Sequence, residues 1–169
     1  MNRHHTLSVL GSLVLLLSLT FGNTFAQSSL QTINRLNQYE DKVDLLQNRV
    51  AEAEAIYNAI MGQLAVNPSS CVNSQFCALQ SKVAQFNGPL NVMRVKSDQL
   101  RDAGLLMGTG AVSTVRYQIE QSLDGNANAA SSNSLSLNSV STIGDDLAEM
   151  NRLIDGCIRR EIQEIRQNL

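Results

Sequence analysis

Few residues in this chain are of a type that does chemistry, and their spacing limits what they can do. The two histidines, His4 and His5, sit side by side near the start. Three cysteines come later, Cys71, Cys77 and Cys157. Carboxylates pair at Asp145-Asp146 and, one helical turn apart, at Glu161 and Glu164. Gly108-Thr109-Gly110 matches a fragment of a phosphate loop. It lacks the following Lys-Ser/Thr and a preceding strand, which excludes nucleotide binding. Paired carboxylates can hydrolyse glycosides when they flank a cleft. Such a cleft is expected to carry aromatic rings for the sugar. From residue 27 on, the aromatics are only Tyr39, Tyr57, Phe76, Phe86 and Tyr117, most of them on apolar helix seams. Asp145-Asp146 lies near an expected helix start and suits the dipole there. No catalytic, cofactor-binding or metal-binding residue is assigned.

The cysteines read as structural. Cys71 and Cys77 bracket a short loop between two expected helices. A disulfide between them would close a seven-residue loop and contribute roughly 2.4 kcal/mol by chain entropy. A redox pair would instead show C-x-x-C spacing near a βαβ pattern. Cys157 is then the odd thiol, near the apolar face of the last helix. It reads as a small buried hydrophobe, with an intermolecular disulfide or pairing to Cys71 or Cys77 as alternatives. Three thiolates lack a fourth zinc ligand.

The first 26 residues look like an address. Arg3 and the two histidines precede an uncharged run from Leu7 to Phe21, and the segment ends on Gly22-Asn23-Thr24-Phe25-Ala26. A positive start, a short apolar centre and small residues at the cut mark a secretory signal peptide. Cleavage is expected after Ala26; the rival, an uncleaved membrane anchor over Thr6 to Ala26, is disfavoured by Ser8, Ser12, Ser18, Thr20 and Asn23 within the run. Of 169 residues, 143 then remain, with a net charge of -3 and no histidine. That removes Ser-His-Asp and Cys-His catalysis and histidine metal ligation. The acidic balance disfavours nucleic acid as a partner.

The elements that position these residues read as helices. Between about 29 and 66, the series Leu36, Tyr39, Val43, Leu46, Val50, Ala53, Tyr57, Ile60, Leu64 steps by 3 and 4, a heptad stripe. Lys42, Arg49, Glu40 and Glu54 flank it as charges expected to be solvated. Asn67-Pro68-Ser69-Ser70 ends the helix, because proline cannot continue the ladder. Phe76, Leu79, Val83, Phe86, Leu90, Met93, Ser97 and Leu100 form a second stripe. Asn87-Gly88-Pro89 interrupts it in phase, which predicts a kink or a restart with Pro89 in the first turn. Val112, Val115, Ile119 and Leu123 mark a third helix, expected to stop at Asp124-Gly125. Val140, Ile143, Leu147, Met150, Ile154, Cys157 or Ile158, Ile162, Ile165 and Leu169 mark the fourth.

These pieces imply an all-α fold, an elongated antiparallel bundle of three or four helices with coiled-coil-like seams. The expected organisation is a signal peptide over 1–26, a helical hairpin and third helix over 27–125, a flexible Ser/Asn-rich loop over 126–142, and a C-terminal helix over 143–169. Residues 103–115 carry no charge. They read as a close-packed turn inside the bundle. As an apolar surface for a partner or a membrane, the same segment would offer Leu105, Leu106, Met107 and Val112.

Ile56-Tyr57-Asn58-Ala59-Ile60-Met61-Gly62 ends a Gln/Asn-rich first helix. That helix resembles the first helix of minor pilus subunits of type IV secretion and conjugation systems. The resemblance covers about 40 residues of the chain and implies export, a helical bundle with an appendage, and a place in a secretion apparatus or pilus tip. The chain is short for that family, which leaves little room for an appendage. It carries no site residue across. The expectation is therefore an exported, non-catalytic protein of the periplasm or cell surface. It would act by contact with envelope proteins or with its own copies, without a cofactor. Rival readings are a periplasmic coiled-coil chaperone and a small inhibitor or immunity-type protein.

Overall fold

The computed structural model describes the backbone of residues 5–104 and 109–169, and the side chains of residues 29–104 and 109–169. The expected signal segment lies outside the residues whose side chains are described. The fold is all-α, with no strand among the described residues. Its helices are α1 (His5–Val66), α2 (Asn73–Ala84), α3 (Asn87–Arg101), α4 (Gly110–Ser131), α5 (Leu137–Leu153) and α6 (Arg159–Asn168). A widened π-turn (Ile154–Ile158) joins α5 to α6. They form four rods, in which α2–α3 and α5–α6 each act as one. α1 packs against α2, α3, α5 and α6, while α4 packs against α2 and α5.

The seams read from the sequence are the core. Leu36, Tyr39, Val43, Leu46, Val50, Ala53, Ile60 and Leu64 of α1 are buried, and Tyr57 is partly buried against them. Every position of the second stripe is buried, Ser97 included. Burying Leu- and Phe-sized side chains stabilises by about 1.5–3 kcal/mol each, so these rows hold the rods together. The restart at Asn87-Gly88-Pro89 occurs as expected, with Pro89 in the first turn of α3.

The third helix does not stop at Asp124-Gly125, and 126–142 is not one flexible loop. α4 continues to Ser131 and α5 begins at Leu137. The Ser and Asn residues between them act as helix caps. Asn133 sits at φ 54, a left-handed conformation that Asn tolerates better than most side chains. The Ser134 amide donates to the Ala129 carbonyl at 2.9 Å, and the Asn133 amide to Ala130 at 3.4 Å. Together these make a Schellman closure of α4. Ser136 then caps α5: its hydroxyl accepts from the Ser139 amide at 3.2 Å, and the Ser139 hydroxyl accepts from the Ser136 amide at 3.1 Å. Such a reciprocal box satisfies two orphan donors. Leu135 between them is buried and pins the turn to the core. Asn126, deeper in α4, donates to the Ser139 carbonyl of α5 at 2.9 Å.

The π-turn resolves the Cys157-or-Ile158 ambiguity. Strict heptad phase from Met150 and Ile154 would bring Cys157, Glu161 and Glu164 inward. The buried residues are instead Ile158, Ile162 and Ile165. A π-turn accommodates one extra residue and rotates the helix beyond it, which keeps both carboxylates off the core. Gly144 serves a different end. A Cβ there would lie 2.5 Å from Tyr57 Cζ and 2.6 Å from Cε1, so the Tyr57 ring rests directly on the α5 backbone.

Candidate functional site

Cys71 and Cys77, expected to pair, do not lie within disulfide distance of each other in the structure. All three cysteines are free thiols. Cys71 and Cys77 are exposed, and Cys77 is already inside α2, its Sγ donating to Asn73 Oδ1 at 3.8 Å. The physical reason is that α2 begins at Asn73, so helical rise separates two side chains that a loop would have let meet. Cys157 is half-buried beside the core rather than buried in it, because Ile158 takes the inward position.

The carboxylates are dispersed by the fold. Because α5 starts at Leu137, Asp145 and Asp146 stand more than two turns into it, beyond the reach of its dipole end. Burial and then the neighbouring Asp145 charge raise the Asp146 pKa. Burial and then the Asp145 charge likewise raise Tyr57. Among the described residues, no group of three His, Cys, Asp or Glu side chains is placed to hold a metal ion.

The charges flanking the α1 seam reach across to the other rods. Arg166 of α6 pairs with Glu40 and donates to Asn37 at 2.9 Å. Arg159 meets Asp44 at 2.8 Å and Asp155 at 3.3 Å. Asn151 donates to Glu54 at 2.7 Å. Arg49 donates to Gln85, and Lys82 sits 2.8 Å from Glu52. The Lys82 hydrogen bond and charge hold the Glu52 carboxyl below its usual range. Most of these groups are solvent-facing, so each pair contributes ~0–1 kcal/mol and chiefly fixes register. Tyr39 is the exception inside: its hydroxyl is buried with no hydrogen-bond partner among the described residues. Burial first, and the Glu161 charge second, push its pKa up.

Of the candidate partner surface, Val112 is fully buried and belongs to the core. It is corrected from surface to packing, as the close-packed reading of 103–115 requires at that position. Leu105, Leu106 and Met107 lie outside the described residues. Ala103 and Gly104, leading into them, are exposed, and Thr109 after them is buried.

The surface features lie mainly at the two ends of the bundle. At one end, α1 passes to α2 and α4 to α5. An open cleft of about 500 Å³ lies between these turns, with Leu64, Pro68, Leu135 and Leu137 on its walls and Ser134 and Asn138 at its rim. Val66, the last residue of α1, is 88% exposed. A smaller groove of about 300 Å³ runs between α2 and α4 past Gln80, Glu120 and Asp124. Toward the opposite end, Leu30 is 60%, Leu169 49% and Ile33 37% exposed. The pairing of Arg166 with Asn37 brings the C-terminus of α6 alongside this part of α1. Seam analysis missed Leu30, Ile33 and Val66, because apolar residues off a stripe carry no periodic signal. A count of charge along the chain finds the first end, since 55–81 and 125–144 contain no Asp, Glu, Lys or Arg.

Among the described residues, no helix is long and apolar enough to cross a membrane. Comparison with protein-family models, curated proteins and solved structures gives no match.

Proposed function

We propose that the protein is exported and acts without catalysis, as a helical bundle that contacts another protein of the bacterial envelope. The resemblance of its first helix makes a type IV secretion or conjugation apparatus the leading address, in the manner of a minor pilus subunit. The observation that carries the contact reading is the exposure of Leu30, Ile33 and Leu169 toward one end of the bundle. Large exposed apolar side chains gathered on a soluble surface favour protein contact. Leu30 and Ile33 would stand in the first turns of the mature chain, directly after the expected cut at Ala26.

The test is a photo-cross-linking residue at position 30 in the native host, followed by affinity purification and mass spectrometry. One stoichiometric envelope protein is expected, together with a mature N-terminus at Gln27. A spread of unrelated unfolded envelope proteins would make the chain a chaperone instead. An uncleaved N-terminus found in the cytoplasm would overturn the export reading.

A further inference from the structure

Cys71 and Cys77 are both exposed thiols, and only five residues lie between them. Cys71 stands just before α2, which begins at Asn73, and Cys77 stands in its second turn. Helical side chains lean back toward the N-terminus, over the residue four positions earlier. Cys77 does so: its Sγ reaches Asn73 Oδ1 at 3.8 Å. The thiol therefore lies over the start of α2, and the residue it touches is two positions from Cys71. What keeps the two sulfurs apart is one helical turn, 73–76. That turn is lightly held. Val72 precedes it without a side-chain cap hydrogen bond, so no cap satisfies a first-turn amide. Val72 and Phe76 are buried at its two ends, but Ser74 is exposed and Asn73 and Gln75 are only partly covered. The side chain of Gln75 ties the turn to α1 by a solvent-facing hydrogen bond to Gln63 Oε1 at 3.3 Å.

We propose that Cys71 and Cys77 form a redox switch: a disulfide between them closes in the folded protein by unwinding the first turn of α2, and its reduction lets the turn rewind. The oxidant is another disulfide, of a small thiol such as glutathione or of a thiol oxidase. The thiolate of one cysteine attacks a sulfur of that disulfide and releases one thiol. The thiolate of the other then attacks the mixed disulfide and releases the second thiol. Two electrons and two protons pass from the cysteine pair to the oxidant. In the helical state the sulfurs are not within disulfide distance, and the bond needs Cα atoms within about 7 Å of each other. The helix therefore opposes the bond, and the bond opposes the helix. A disulfide strained in this way is readily reduced, which suits a switch rather than a staple. The switch also has something to act on. Pro68 and Ser69, in the turn just before Cys71, form part of the wall of the 500 Å³ cleft. Releasing the start of α2 reshapes that wall. The device is independent of which envelope protein meets the opposite end of the bundle.

The test equilibrates the protein purified from its host in glutathione buffers of graded redox ratio, with and without denaturing urea. Free thiols are trapped by alkylation, and the linkage is read by peptide mass spectrometry. Cys157→Ser leaves only this pair, and mapping the unsubstituted chain reads the same linkage should that variant fold poorly. A Cys71–Cys77 bond is expected in the folded protein. Its equilibrium constant against glutathione should be at least about tenfold smaller than in urea, because only the folded chain must give up helical hydrogen bonds to close it. By the same cycle, the oxidised form should have the lower Tm. Hydrogen exchange should show the amides of Phe76 and Cys77 losing protection on oxidation while those of α4 and α5 keep theirs. A staple gives the opposite sign, a larger constant in the folded state and a higher Tm when oxidised, because it constrains the unfolded chain. That result, or no Cys71–Cys77 bond in the folded protein at any ratio, overturns the proposal. Both outcomes are read in vitro, so neither depends on whether the protein is exported or what it contacts.

Discussion

Tyr39 is where a single atom sets an energy. Its ring fills a heptad position of α1, and its hydroxyl lies in the core with no partner among the described residues. A hydroxyl buried without a hydrogen bond costs about 1–3 kcal/mol of desolvation. Tyr39→Phe keeps the ring and deletes the oxygen, so it should stabilise the fold by about 1 kcal/mol and raise Tm by roughly 3 °C. Thermal unfolding followed by circular dichroism checks this, and a lower Tm would show that the hydroxyl is satisfied. The raised pKa of the phenol acts in the same direction: burial keeps it neutral, so ionisation would add to the cost. The Tyr57–Gly144 contact shows the opposite relation between residue and backbone. There the ring is accommodated by the missing side chain of its neighbour.

At the scale of elements, seam positions were legible in the sequence wherever apolar side chains recur at steps of 3 and 4. The α1 and α2–α3 stripes are nearly complete in the structure because burial and periodicity report the same fact. Composition misled at 126–142. Serine and asparagine are common in flexible loops, but here they terminate one helix and start the next, and capping depends on the geometry of individual residues. The separation of Cys71 from Cys77 has a related cause: the start of α2 at Asn73 was not visible from spacing alone. The π-turn was visible only as indecision between Cys157 and Ile158. Removing one residue from it tests whether the extra residue is needed. Deletion of Gly156 restores a 3-4-3 series from Ile154 through Ile158, Ile162 and Ile165. The shortened chain should fold with α6 in unchanged register and a Tm within a few degrees of the parent. A loss of more than about 3 kcal/mol, the cost of a misplaced core side chain, would mean the widened turn is itself required.

At the scale of the molecule, one continuous cluster of buried residues runs through all the helices. Nothing divides it, so unfolding should be a single cooperative transition. Circular dichroism at about 222 nm and tyrosine fluorescence should give coincident denaturation curves. Separate midpoints would show that the part of the bundle built by α3, α6 and the stretch of α1 around Leu36 melts alone. High salt should move the common midpoint little, because the Glu40–Arg166 and Asp44–Arg159 pairs lie in solvent. The candidate surfaces were less legible than the fold. Periodicity describes what faces inward, whereas exposed Leu30, Ile33 and Val66 matter because of where the rods end. That requires knowing how the rods align.

The π-turn has a consequence for descent. A widened turn of this kind is what a helix becomes when it gains one residue and its neighbours hold their places. An ancestral helix would then have run in unbroken heptad phase, with 154–158 the scar of an insertion. A relative whose helix lacks the widened turn should align with a one-residue gap within those five positions, with isoleucines still in step on either side.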